Sequence, residues 1–285
     1  MSVKEFIPTI WNEQILRDME RKTRYVEDCT RRYEGEIKQK GNSVKILGMG
    51  DPTLKTYTGG TIDAPENLET SAITLIVDQA KYFNFAVEDV DKMQAVKGLL
   101  EEATSRTGSI IANDHDVFIS KMVLDPQVTK VYSSAPTLVA GSASAGQVNV
   151  LDAIDEAVQK LHENDIVGED LVAVLSPRAA RIFRKEYITK DTDNSELLKK
   201  GIIGIYNGVT IKESNNVQRS TTSSSGDTDN IMIRTKRAIA FVNQLTKTEA
   251  YRPELAFADA VKGLDVYGGK IIFPKEIFNI NVKFA

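Results

Sequence analysis

The chain has 285 residues, 41% of them hydrophobic and 27% charged, with one cysteine and a formal net charge of −4. A compact chain of this length hides roughly 75% of the surface its unfolded form would expose, so its core needs no disulfide or metal. The lone Cys29 excludes an intrachain disulfide and a multi-cysteine zinc site, and the acidic balance argues against a dedicated nucleic-acid binder.

Met1 to Phe6 lack an apolar signal core, and no window approaches ~18 uninterrupted apolar residues. Neither secretion nor a transmembrane helix is expected, and the composition suits a soluble protein made in a reducing compartment. The first forty residues hold nine Lys/Arg against eight Asp/Glu. With few aliphatics, that segment is expected to bury poorly within its own fold. Ile10, Ile15, Leu16 and Met19 make a short helical stripe with Trp11 beside it. Two readings stay open: a solvated amphipathic helix, or an arm that finds its partners on another subunit.

Residues 43–47 read as a strand, punctuated by Gly48-Met49-Gly50-Asp51-Pro52. Residues 53–67 offer little that forms a core. A return strand follows, with Ile73, Leu75 and Val77 on one face and Phe83, Phe85 and Val87 continuing the period of two. Each arm of this predicted hairpin reaches ~30 Å at ~3.3 Å per residue, and such a ribbon is marginal alone in water. Glu88-Asp89-Val90-Asp91 is expected to open a helix, its acids suiting the positive end of the helix dipole. Val90, Met93, Val96, Leu100 and Ala103 keep helical spacing, and Ile110, Ile111, Val117, Phe118 and Met122 resume it. Ending near Val123, before Asp125-Pro126, the helix would measure ~50 Å at about 1.5 Å per residue. That length describes a spine.

Residues 133–146 are small and flexible and form the best candidate boundary. Beyond them the pattern turns α/β. Leu151, Ile154, Val158 and Leu161 mark an amphipathic helix, and Leu171-Val172-Ala173-Val174-Leu175 a buried strand. Ser176 and Pro177 stand as N-cap and first residue of another helix. Residues 189–194 and 220–230 read as polar loops. Strands are expected at 209–212, 231–234, 239–242 and in the alternating segment 278–284, and no internal repeat occurs.

No catalytic, cofactor-binding or metal-ligating constellation stands out. His115 and His162 each sit on a predicted helix beside acids, without a second His at i+4, and read as surface or satisfied helical histidines. Asp191-Thr192-Asp193-Asn194-Ser195 resembles the start of a calcium loop, but Glu196 replaces the glycine and Ile202 stands where the closing glutamate belongs. Gly201-Ile202-Ile203-Gly204 is too apolar to cradle a phosphate and reads as a turn. Cys29 has no His nearby in sequence to make it a nucleophile.

Several strings nevertheless resemble the major capsid proteins of tailed bacteriophages. They are Arg32-Tyr33-Glu34-Gly35-Glu36-Ile37-Lys38 with Gly41, Asp78-Gln79-Ala80-Lys81-Tyr82-Phe83-Asn84-Phe85, Tyr251-Arg252-Pro253-Glu254, Phe257-Ala258-Asp259-Ala260-Val261-Lys262-Gly263 and Tyr267-Gly268-Gly269-Lys270. The likeness runs in order from Phe6-Ile7-Pro8-Thr9-Ile10-Trp11 to the C-terminus. It implies an α+β chain with the Hong Kong 97-type coat fold. Residues 1–33 would be the N-terminal arm and 34–80 the extended loop, a β-hairpin. Residues 81–146 would form the peripheral domain, with its spine helix and β-sheet. Residues 147–250 would be the α/β axial domain, and 251–285 a return to the peripheral domain.

The implied function is a shell protein that self-assembles into pentamers and hexamers of an icosahedral head around double-stranded DNA. Assembly would take place in the host bacterial cytoplasm, and the protein would reside in the virion. Expected partners are other copies of the chain, a separate scaffolding protein and a portal. A decoration protein could join them, DNA would be touched only weakly, and no membrane is involved. The separate scaffold is expected because the chain begins directly at the arm. Some relatives crosslink a loop lysine; Lys45 and Lys55 lie on this loop, but nothing marks a partner, so no crosslink is expected. Interface candidates are Trp11 and Arg17 in the arm, Arg31, Arg32 and Glu34 at its junction, Lys45 and Tyr57 on the loop, and Arg252 and Asp259 near the domain return. Two alternatives remain: an encapsulin-type nanocompartment shell, which shares the fold, and an α/β enzyme built on residues 147–250.

Overall fold

A computed structural model describes residues 23–33, 43–49, 70–88, 99–168, 170–188, 202–222, 226–254 and 258–284, with Leu54 and Thr56. β1 (Ser43–Met49) and β2 (Thr70–Ile76) pair antiparallel, Ser43 opposite Ile76 and Met49 opposite Thr70, as a two-stranded ribbon. β3 (Gln79–Glu88) follows but belongs to a different sheet. The single return strand expected from the period of two is therefore divided at Val77-Asp78. The alternation itself persists: Leu75 and Val77 are buried, while Thr74, Ile76 and Asp78 are exposed.

Glu88 ends β3, opposite Ala258, and does not open the helix as expected. Its ladder outweighs the acidic first-turn signal, and residues 89–98 lie outside the described set. α1 (Leu99–Lys121) is the long helix, followed by a 3-10 turn, Met122–Leu124, that stops it before Asp125-Pro126. Gly108 sits buried inside it without breaking it.

β4 (Thr129–Lys130), β5 (Thr137–Val139) and β6 (Gln147–Asn149) are short strands. Asn149 then caps α2 (Val150–Glu163), its side chain accepting from Leu151 N at 2.8 Å. Leu151, Ile154, Val158 and Leu161 are all buried, as their spacing requires. β7 (Leu171–Leu175) is buried at every residue, and α3 (Pro177–Ile188) begins where Ser176 Oγ accepts from Ala179 N at 3.3 Å. β8 (Ile202–Tyr206) replaces the turn expected at Gly201 to Gly204. The turn falls at Asn207-Gly208, both with positive φ, which pins the hairpin to β9 (Val209–Glu213).

β10 (Gln218–Thr222) and β11 (Gly226–Thr235) pair antiparallel where a polar loop was expected. Serine and threonine serve as well in an edge ladder as in a loop when their neighbour strand is fixed by the core. β12 (Ile239–Tyr251) and β13 (Ala258–Ile271) form a long hairpin of which only residues 239–242 were legible. β14 (Ile277–Lys283) closes the chain.

The nine-stranded sheet runs β6-β5-β14-β11-β7-β9-β8, with β10 on β11 and β4 on β14; a three-stranded sheet runs β12-β13-β3. Within the large sheet β14 pairs antiparallel with β11 and parallel with β4 and β5. β12 joins β3 through β13 in the small one. The alternation of β14 is also misleading, because Asn279 and Asn281 are as buried as Phe278 and Ile280. They are accommodated by hydrogen bonds: Asn279 Nδ2 donates to Asn230 Oδ1 at 3.0 Å, and Asn281 Oδ1 accepts from Tyr132 N at 3.3 Å.

Candidate assembly surfaces

Residues 23–33 enter the fold, contrary to the expectation that charge keeps this segment out. Thr23, Tyr25, Val26 and Asp28 are buried. The reason is a set of partners placed on three elements. From α1, the Asp116 carboxylate accepts from the backbone of Arg24 (2.7 Å), Tyr25 (3.0 Å) and Val26 (3.2 Å), leading the 3-10 turn Val26–Asp28. From β11, Arg234 is 1% exposed and donates to Asp28 O at 2.5 Å and Tyr25 O at 2.7 Å. From β9, Lys212 Nζ reaches Asp28 at 2.6 Å and Glu27 at 2.9 Å. Thr30 then bridges to the start of β12, its N–H donating to Ile239 O and its carbonyl accepting from Phe241 N.

Burial pushes the Asp116 carboxyl above its ordinary range, against the three backbone donors that favour the charge. It pushes the Cys29 thiol up as well, although the Arg234 charge opposes this. Cys29 Sγ donates to Tyr25 O at 3.3 Å, so it is a structural thiol and a poor nucleophile.

The ribbon is held differently. Leu75 and Val77 are buried at its base with Ala240, Val242, Val266 and Ile272, while Ile46, Ile73 and Tyr33 pack at the edge of that cluster. Lys45 and Thr74, a cross-strand pair, are exposed, and Leu54, between the two strands in sequence, is 100% exposed. Among the described residues β1 pairs only with β2.

Beside the ribbon's base, α1 lies on the three-stranded sheet. His115 Nε2 meets Asp265 Oδ2 at 2.7 Å with both side chains buried, ringed by Phe241 and Tyr267. His115 is thus a satisfied helical histidine. The Phe83 ring lies directly over Gly263, where a Cβ would come within 2.2 Å of it. Next to it, Tyr82 (82% exposed) and Ile110 (69% exposed) open a groove of about 280 Å³ lined also by Lys81, Phe83, Ile111 and Asp114. Large apolar groups this exposed are a mark of contact surfaces.

Of the sequence candidates, Arg31 and Arg32 stand exposed where the chain leaves its buried root, and Lys45 is exposed on the ribbon. Arg252 is exposed just past β12, and Asp259 lies on β13 opposite Val87. Both flank the β12–β13 turn, far in sequence from Lys45. Trp11, Arg17, Glu34 and Tyr57 lie outside the described residues. Sequence reasoning missed Asp116, Lys212 and Arg234, which carry no local motif. It also passed over Gly268, although glycine within a strand signals a close backbone approach. Among the described residues no three His, Cys, Asp or Glu side chains gather as a metal site, and no helix is long and apolar enough to cross a membrane.

No family model matches the chain, and no curated protein matches it in sequence. Solved structures do. A chain of Mycobacterium phage Che8 is 27% identical, with 90% of each chain covered and a TM-score of 0.65. The capsid of Ralstonia phage GP4 gives a TM-score of 0.67 at 12% identity over 93% of this chain and 92% of that one. A virus-like particle from Pyrococcus furiosus fits less well, at a TM-score of 0.50 and 13% identity, over 96% and 99%. Across nearly its whole length, then, the chain has the fold of a phage capsid protein, the fold that the strings in its sequence led one to expect.

Proposed function

We propose that the chain forms pentamers and hexamers that close the icosahedral head shell of a tailed phage around double-stranded DNA. One observation carries this reading: a two-stranded ribbon that, among the described residues, buries Leu75 at its base and exposes Lys45 and Thr74, attached to an otherwise well-filled core. Such a ribbon is marginal in water. Laid on a neighbouring copy, it exchanges water for apolar contact and strand-edge hydrogen bonds. Repeated around closed rings, weak contacts of this kind build a shell.

Arg31 and Arg32 at the root's exit, Lys45 on the ribbon, and Arg252 and Asp259 beside the β12–β13 turn are assigned to contacts between copies. Trp11, Arg17, Glu34 and Tyr57 complete that assignment. The working division has an arm (1–33), an extended loop (34–80), a peripheral unit of β3, α1, β12 and β13, and an axial unit built on the nine-stranded sheet. The resemblance to tailed-phage coat proteins further implies a scaffolding protein, a portal and decoration proteins as partners. It also implies assembly in the host bacterial cytoplasm and a structural, non-enzymatic role.

The test is the particle mass of the purified chain, expressed alone and with a scaffolding protein, by sedimentation with negative-stain imaging. Megadalton shells or rings of five and six are expected, with DNA as the packaged content. A cargo enzyme in place of DNA would identify a nanocompartment. A species of ~31 kDa that persists with scaffold present contradicts the reading.

A further inference from the structure

β3 pairs with β13 only as far as Gln79 opposite Tyr267. The next residue of β13 is Gly268, paired on its other side with Val242 of β12. The chain that joins ribbon to sheet crosses at this point. A Cβ on Gly268 would sit 2.5 Å from the carbonyl oxygen of Ile76 and 2.9 Å from Val77 Cα. Both are backbone atoms, so no rotamer makes room. Other β13 glycines differ: Gly263 faces the Phe83 ring, and the nearest atom to Gly269 is Met122 Cε at 2.9 Å, side-chain ends that can swing aside. Around the crossing, Leu75 and Val77 are gripped by Ala240, Val242, Val266 and Ile272. The ribbon's root therefore rests on bare backbone below and on apolar side chains at its flanks.

We propose that Gly268 is the seat that sets the direction in which the β1–β2 ribbon leaves the subunit, making it a positioning residue for the contact between copies. The geometry is independent of the capsid reading; the consequence for assembly rests on it. A methyl group at Gly268 must push the Ile76-Val77 backbone back by roughly 1 Å to reach ordinary contact. Seven residues of strand make a lever of about 23 Å at ~3.3 Å per residue, so a shift at the base becomes several times larger at the far end. Folding needs only the core, whereas shell closure needs the ribbon aimed at a neighbour.

The test uses the full chain in a Cys29→Ser background, with spin labels on cysteines replacing the exposed Lys45 and Lys121. Distances between labels are measured in the unassembled protein for wild type, Gly268→Ala and Gly204→Ala. Gly204 is the control, because a Cβ there meets only the Tyr187 ring at 3.5 Å. Gly268→Ala is expected to move the mean distance by several ångström and, in the unlabelled chain that keeps Lys45, to give shells that close poorly or at altered diameter. Gly204→Ala should match wild type in both. An unchanged distance in a folded Gly268→Ala protein overturns the proposal. Should that variant fail to fold, Val77→Ala loosens the grip but keeps the seat. The mean distance is then expected to hold, and a moved mean would assign the direction to the cluster instead. A wild-type chain that never assembles contradicts the capsid reading and leaves the distance experiment intact.

Discussion

The root of the arm and the ribbon are both segments that the core does not need to form its own layers, yet they are held in opposite ways. Within residues 23–30, Thr23, Tyr25, Val26 and Asp28 are buried, and Asp116, Lys212 and Arg234 meet backbone groups of Arg24, Tyr25, Val26 and Asp28 and the carboxylates of Glu27 and Asp28. The ribbon is rich in strand formers, and beyond its base its described polar side chains stand in water. The first segment is completed within the subunit. Among the described residues, the second has outer strand edges that no other strand of the subunit pairs. Satisfied partners, not hydrophobicity, decide which segment is internal, since a buried polar group costs free energy only when it lacks a partner.

The largest break in that contrast should come from Arg234→Ala. It leaves the buried carbonyls of Tyr25 and Asp28 without their donor, at a cost of roughly 3–5 kcal/mol. Denaturant unfolding reads the loss, and protease sensitivity near residue 25 reads the release of the arm. Leu75→Ala should come next, at roughly 2–4 kcal/mol for a fully buried leucine. Here the damage is confined to the ribbon's base, so shells should fail while α2 and β7 keep their hydrogen-exchange protection.

Asp116→Asn is expected to cost less, about 1–2 kcal/mol, because one acceptor oxygen remains for the three N–H groups. It also carries a pH signature. The folded Asp116 carboxyl is held above its ordinary range, so its contribution is fullest below the unfolded value near 4 and is lost as pH rises through the folded value. Unfolding measured between about pH 4 and 7 should show this decline in wild type and a flatter profile in the asparagine variant. Parallel profiles would contradict the assignment. The smallest effect on the subunit belongs to Lys45→Glu, within about 0.5 kcal/mol for an exposed side chain. Its shell yield should fall sharply, which separates contact from folding.

Much of this was legible in the residues. α2, β7 and α3 follow from period and cap, since Leu151, Ile154, Val158 and Leu161 face one way, residues 171–175 form an unbroken apolar run and Ser176 supplies the acceptor that opens α3. The ribbon followed from alternation, although its junction at Val77-Asp78 did not, because no composition change marks where one sheet hands over to another. Long-range partners were hidden for the same reason. Nothing near Arg234 in sequence announces Tyr25, 209 positions away. β10 and the start of β11 read as a polar loop because an antiparallel ladder with one wet face needs few aliphatics. Asn279 and Asn281 reversed that error, looking solvent-facing while serving as buried donor and acceptor.

Hydrogen exchange of the unassembled chain and of its shells tests the contrast most directly. Amides of residues 25–30 should be protected in both forms, whereas those of β1 and β2 on their outward edges should exchange quickly in the free chain and slow by at least tenfold on assembly. Equal protection of the ribbon in both forms would mean that the subunit already completes it, and the account of the ribbon as a contact between copies would fail.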